Sequence, residues 1–312
     1  MNSAACYFFR AVYFSIFEIF SVLKQFLFLL LFLLLGGSIF AQEKRGMIGF
    51  GLSAGAMNYE GELDDNFTLQ FTRLGFGVHT TALFFSRLHA RLAYVHGSIS
   101  AHDGGLFSSN NRRNLDFYSD IDELSLVFMF KFQNRKRGFT KRNFVTPYIF
   151  GGVAGFMFNP KTKYNGKEYE LQPIGTEGQN LEGPYPEPYK LQQVSIPFGV
   201  GFLLKITQKF DFGGEVGFRK TFTDYLDDVS TNFPDREALR DYQGDIAVQL
   251  SDRSSDPASH GKARGNPENK DWYVYTNLHL TYYFTTTLFK PYKLRNQFKD
   301  NTCKRLMSPK KL

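Results

Sequence analysis

The chain has 312 residues, a formal net charge of +7 and a mean hydropathy of -0.29. Beyond residue 42 it carries no long apolar run, which excludes membrane-spanning helices but not a membrane barrel, whose lumen face is polar. The positive charge is uneven: residues 286–312 hold +7 and residues 1–41 hold +1, which leaves 42–285 at -1.

The first element is an export signal. Residues 26–35 are ten consecutive Phe and Leu, with Lys24 before them and Ala41-Gln42 after a small-residue stretch. A cation, a short apolar core and a small residue before a polar one predict cleavage after Ala41. An aromatic stretch at 6–20, broken by Arg10 and Glu18, precedes it. Either translation begins further in, or this stretch is a retained membrane helix. Residues 1–41 are therefore expected to be a leader, 42–285 a barrel and 286–312 a basic periplasmic tail. Removing the leader leaves one cysteine, Cys303, so no intrachain disulfide is expected. An exported chain with a nearly neutral body is not expected to bind nucleic acid; anionic lipid, peptidoglycan or an acidic protein suits the tail better.

Eight alternating segments follow. An apolar residue at every second place demands a greasy surround on one side only. The first, 47–57, sets Ile48, Phe50 and Leu52 against Gly49, Gly51 and Ser53. The second, 71–80, turns Leu74, Phe76 and Val78 one way and Arg73, Gly75 and His79 the other. The third, 87–96, sets Leu88, Leu92 and Tyr94 against His89 and Arg91, and the fourth offers Leu124, Leu126, Phe128, Phe130 and Phe132. The fifth, 147–159, reads as Tyr148, Phe150, Phe156 and Phe158 outside with Gly151 and Gly155 opposite. The sixth has Val194, Ile196, Phe198, Val200 and Phe202 outside. In the seventh, Phe212, Val216 and Phe218 face out and Glu215 and Arg219 in; in the eighth, 272–284, Leu278 and Leu280 face out and Asn277 and His279 in.

The fold class expected is all-β: an eight-stranded antiparallel transmembrane barrel with long outer loops. The connections, of about 10, 6, 25, 12, 33, 5 and 45 residues, alternate long and short. A barrel with both chain ends in the periplasm predicts this, and a soluble sandwich does not. Segments 60–70, 97–121, 161–193 and 227–271 then face outward. Tyr148, Phe158, Trp272, Tyr282, Tyr283 and Phe284 fall near strand ends, as interfacial girdles would. An eight-stranded lumen is narrow, so Arg73, Arg91, Glu123, Glu215 and Arg219 are expected to neutralise one another inside it, making a plug rather than a pore.

Chemistry is sparse. No metalloprotease, nucleophile-elbow or phosphate-loop motif is present, so no catalytic, cofactor-binding or metal residue is assigned. His79, His89 and His279 beside Ser53 or Ser125 could form a hydrolytic set, but polar lumen filling explains them. Asp224, Asp227 and Asp228 with Asp235 could ligate calcium; their spacing matches no known loop, and a solvated acidic rim is the simpler reading. The outer segments carry aromatic and arginine residues suited either to contact or to a cap folded onto the barrel mouth.

Several blocks resemble one family. They are Arg113-Asn114-Leu115, 119–121, 146–152, 172–179, 217–230, 250–253 and 264–273. Together they resemble the PorG-like outer-membrane β-barrel family of Bacteroidetes, a domain-of-unknown-function group tied to type IX protein secretion and gliding motility, over about residues 46–284. The resemblance implies a non-enzymatic barrel in outer-membrane lipid that anchors or assembles the secretion machinery by contact with a periplasmic ring lipoprotein and other secretion-system proteins. It supplies no catalytic residues, and Arg219, Asp224, Tyr225, Asp227 and Asp228 are named only as the signature and possible contact segment. The alternatives are a structural or adhesive barrel binding ligands through its outer loops, and a small-solute channel. The tail departs from the family pattern, in which chains end near the final aromatic strand.

Overall fold

The computed structural model describes residues 46–64, 69–83, 87–103, 113–133, 142–254, 256–258 and 260–286. The proposed leader, and the basic tail beyond Thr286, lie outside these. The described residues form one compact unit, Met47–Thr285.

Nine strands appear in chain order: β1 Gly46–Glu60, β2 Arg73–Leu83, β3 Leu88–His102, β4 Asp116–Lys131, β5 Val145–Tyr164, β6 Lys167–Glu170, β7 Gln192–Lys205, β8 Phe210–Thr221 and β9 Trp272–Thr286. Among the described residues three short helices lie between them: α1 Leu171–Ile174, α2 Arg236–Gln243 and α3 Asp245–Ser251. Hydrogen bonding runs β4-β3-β2-β1-β9-β8-β7-β5, and β4 also pairs with β5, so eight antiparallel strands close on themselves. Closure leaves no open edge, which hydrocarbon requires. β6 stands outside the ring as a short arm on β5. Its hairpin turns on Asn165 and Gly166, both with positive φ (50° and 76°), the backbone that an Asn-Gly pair favours.

Alternation sorts the side chains. Leu52, Leu74, Val200 and Leu278 on the outer wall are more than half exposed, and the surface they share suits lipid. On the inner wall Gly51 and Gly213 make room for His79 and His279: a Cβ at either would lie 2.3 Å from the imidazole Nε2.

β5 reverses the expected phase. Tyr148, Phe150, Phe156 and Phe158 face inward, while Ile149, Val153 and Met157 face out with Gly151 and Gly155. Both faces of this strand are apolar, so alternation could not choose between them. The interior chose, because Tyr148 finds an acid there and Phe150 a guanidinium 5.4 Å from its centroid. Tyr148, Phe158 and Tyr283 therefore belong to no outer girdle, whereas Tyr282 faces outward.

The strands also run further than the pattern indicated. β3 continues to His102 and β4 begins at Asp116, so part of the expected 97–121 loop is sheet. Ile99, Phe117 and Ile121 on this extension, and Leu115 just before β4, are buried. They pack with Tyr59, Leu63, Phe156, Phe158, Leu226, Val229 and Leu250 into the largest apolar cluster among the described residues. The core thus fills the end of the barrel where the long connections lie.

Candidate functional site

The barrel interior is crossed by two ion pairs. Arg91 on β3 meets Glu215 on β8 at 2.8 Å, and the same carboxylate accepts from the Tyr148 hydroxyl at 2.8 Å. Arg219, also on β8, donates through Nε to Glu123 on β4 at 3.0 Å, and the Tyr273 hydroxyl donates to that carboxylate at 2.8 Å. The Arg219 guanidinium also lies 5.5 Å from the Tyr275 ring centroid. All four charged side chains are almost wholly buried. Each carboxylate thus has a guanidinium and a phenol, the provision that buried charge requires.

Of the five residues expected to neutralise one another, the structure brings these four together and leaves Arg73 apart. Arg73, the first residue of β2, is exposed and donates to Ser100 at 2.9 Å. Its place at the strand end carries it past the lumen. The space between the pairs is a small cavity lined by Ser53, His79, Arg91, Glu215, Asn277 and His279. Ser53 takes the Tyr275 hydroxyl and Ser125 donates to the Ala93 carbonyl, while His79 meets Thr281 and His279 meets Asn277. These serines and histidines serve the wall, not a nucleophile–base pair. At the turn end, Arg142 pairs with Asp211 at 2.6 Å and donates to the Gln208 and Thr207 carbonyls. Sequence reading missed that pair, because Arg142 comes from a connection whose path has no period.

Above the lumen pairs the long connections fold into a cap. Glu177 is fully buried and accepts from the backbone N–H of Ser230 (2.8 Å) and of Thr231, the Thr231 hydroxyl (2.6 Å) and Arg264 (3.0 Å). Asp228, held at φ 68°, accepts from the Thr176 hydroxyl and from the Tyr189 hydroxyl at 2.7 Å. Arg264 also donates to the Asp228 carbonyl and to that of Ser251. Arg113 pairs with Asp103 at 2.7 Å and donates to the carbonyls of Glu62 and Arg264. Tyr189 stacks on Tyr225 with centroids 4.6 Å apart. Residues from all four long connections are stitched here.

Of the signature residues, Arg219 belongs to the lumen pair with Glu123, and Asp224, Tyr225, Asp227 and Asp228 lie in the cap. Asp224, Asp227 and Asp228 are buried, which corrects the reading of a solvated acidic rim. Asp235 stands apart from them as the N-cap of α2, accepting from Glu237 N and Ala238 N. Burial raises the Asp224 and Asp228 carboxyls to about 6 each, in the second case against the pull of Arg264. Burial and the Asp224 charge raise Glu62 to about 7. Among the described residues, Glu62, Asp227 and Asp271 form the one group of carboxylates close enough to share a metal ion. Glu62, Asp271 and Tyr59 were not singled out beforehand; Tyr59 lies at the end of β1, Glu62 and Asp271 sit at the ends of connections 60–70 and 227–271, and only the folded cap makes them neighbours.

A family described as "Domain of unknown function (DUF6089)" matches residues 24–247. No curated protein matches the chain. Among solved structures, the attachment invasion locus protein Ail of Yersinia pestis, crystallised with the heparin analogue sucrose octasulfate, is 8% identical at a TM-score of 0.37, covering 77% of this chain and 99% of that one. Neisserial surface protein A is 7% identical at 0.37, covering 76% and 97%. A major outer membrane protein from Thermus thermophilus is 15% identical at 0.36, covering 76% and 99%.

Proposed function

The chain belongs to the family described as Domain of unknown function (DUF6089), and from that premise we propose a non-catalytic, non-conducting outer-membrane barrel that works by contact. The observation that carries this reading is the interior crossed by Arg91–Glu215 and Arg219–Glu123 and roofed by an apolar cap. Ions would have to break buried pairs to pass. Planar-bilayer recording of the refolded chain is expected to give no conductance above background, and discrete openings would remove the reading.

The contact we favour is with a periplasmic ring of a protein-secretion machine, the chain serving as its foothold in the outer membrane. Support comes from the resemblance of segments 172–179, 217–230 and 264–273 to PorG-like barrels. In this orientation the long connections face outward, and both ends, including the basic 286–312 segment, face the periplasm. Mild crosslinking and capture should recover ring lipoproteins, and truncation at Thr285 tests whether the tail takes part.

A second reading is a structural or adhesive barrel that holds ligands on its outer loops. The folded cap supports it, since four connections tied by Glu177, Asp228 and Arg264 present a fixed surface. Deleting the gene separates the two: lost export of secreted cargo marks the foothold, and lost surface attachment with normal export marks the adhesin.

A further inference from the structure

Tyr59 at the end of β1 and Glu62 just after it converge with Asp227 and Asp271, which lie more than 150 residues further along the chain. One carboxylate oxygen each from Glu62, Asp227 and Asp271 lies within 4.8 Å of the others. The Tyr59 hydroxyl sits 2.7 Å from Asp227 and 2.8 Å from Asp271. Backbone N–H groups of Leu226 and Val229 fix the remaining oxygens of Asp271 and Asp227 at 2.8 and 2.9 Å. Gly61 lets the chain pass, for a Cβ there would lie 2.0 Å from the Tyr59 hydroxyl and 2.1 Å from the Asp271 carboxylate.

The surroundings lack positive charge to match. Glu62 Oε2 is buried and meets no hydrogen-bond donor. A fourth acid, Asp224, is 2% exposed and its charge presses on Glu62; the Ser230 side chain approaches it without completing a hydrogen bond to either oxygen. Both acids belong to the segments that form the cluster: Thr223 O, just before Asp224, accepts from Asp271 N. Two guanidiniums reach Asp227, and both are already held: Arg113 by Asp103, and Arg264 by Glu177 and Asp228; Lys270 acts on Asp224 from the surface. Four carboxylates, two of them with buried oxygens that complete no hydrogen bond, and no free guanidinium suit a hard divalent cation, which takes six to eight oxygen ligands.

We propose that Glu62, Asp227 and Asp271 bind a calcium-class divalent cation that ties the first long connection to the last, with Asp224 as the neighbouring acid that completes its charge. Carboxylates and water supply the ligands, and the ion latches the cap shut.

The test uses the full chain refolded in detergent, with heat-modifiable gel mobility confirming an intact barrel. Calcium titrated calorimetrically at neutral pH should bind with a stoichiometry near one, and terbium bound there should luminesce through Tyr59. Glu62→Gln, at a half-buried position, should weaken calcium binding more than about tenfold while leaving mobility intact, and Asp271→Asn should do likewise. Glu187→Gln, an exposed acid elsewhere on the cap, should bind as the parent does. Calcium binding that is undetectable at millimolar concentration in the parent chain, or unchanged in Glu62→Gln, overturns the proposal. Should Asp271→Asn fail to fold, the parent and Glu62→Gln titrations still decide it.

Discussion

Arg91 and Glu215 stand 124 residues apart in sequence and meet at 2.8 Å across the inside of the barrel. Their meeting turns a tube of backbone into a plug, because each charge has given up water and can be satisfied only by the other wall. Tyr148 and Asn277 complete the shell around the carboxylate.

Breaking that pair on one side should be costly. Arg91→Met leaves Glu215 buried without its cation and is expected to cost about 3–5 kcal/mol. Urea unfolding of the barrel in phospholipid vesicles reads it. The double variant Arg91→Met with Glu215→Met should recover much of the loss, and equal losses in single and double variants would contradict the pairing.

The outer wall makes a separate prediction. Leu52 projects from β1 and is 67% exposed. If that surface meets hydrocarbon near its midplane, Leu52→Arg costs about 2–4 kcal/mol in vesicles. An unchanged unfolding midpoint would mean that the wall faces water.

Two adjacent glycines on β5 should respond oppositely. A Cβ on Gly152 would lie 2.1 Å from the Leu126 carbonyl, whereas on Gly151 its nearest neighbour is 4.0 Å away. Gly152→Ala should therefore lower folding yield sharply, and Gly151→Ala should fold as well as the parent chain. Reversal of that order would refute the inward placement of Tyr148 and Phe150.

The cap should weaken as pH rises. Asp224 and Asp228 titrate near 6 and Glu62 near 7, all above the ordinary carboxylate range. Between roughly pH 4 and 7 the folded cap thus holds more protons than an unfolded one, so its stability is fully present below about pH 4 and lost as pH climbs through 6 to 7. The groups facing them are Asp227 and Asp271 around Glu62, and Arg264, Glu177 and Tyr189 around Asp228. Limited proteolysis at fixed low calcium should cut the long connections faster at pH 8 than at pH 5. The opposite trend would mean that these acids are ionised and paired.

Most of the wall was legible beforehand because one face of each strand is apolar and the other is not. Where both faces are apolar, as in β5, alternation had no preference, and the partners Glu215 and Arg91 set the phase. The β5–β6 hairpin does carry a local signal, the Asn165-Gly166 pair at its turn. The cap had none, since Glu177, Arg264, Asp228 and Asp271 become neighbours only after distant connections meet.

Periodicity and the alternating lengths of the connections were enough by themselves to determine a closed barrel of eight strands, because the backbone's twofold repeat writes burial directly into residue order. Which acids pair, which strand face turns inward and how the long connections lock were decided by tertiary structure alone. Those outcomes depend on distances between residues far apart in the chain, where a buried charge must find its partner and no local pattern can record it.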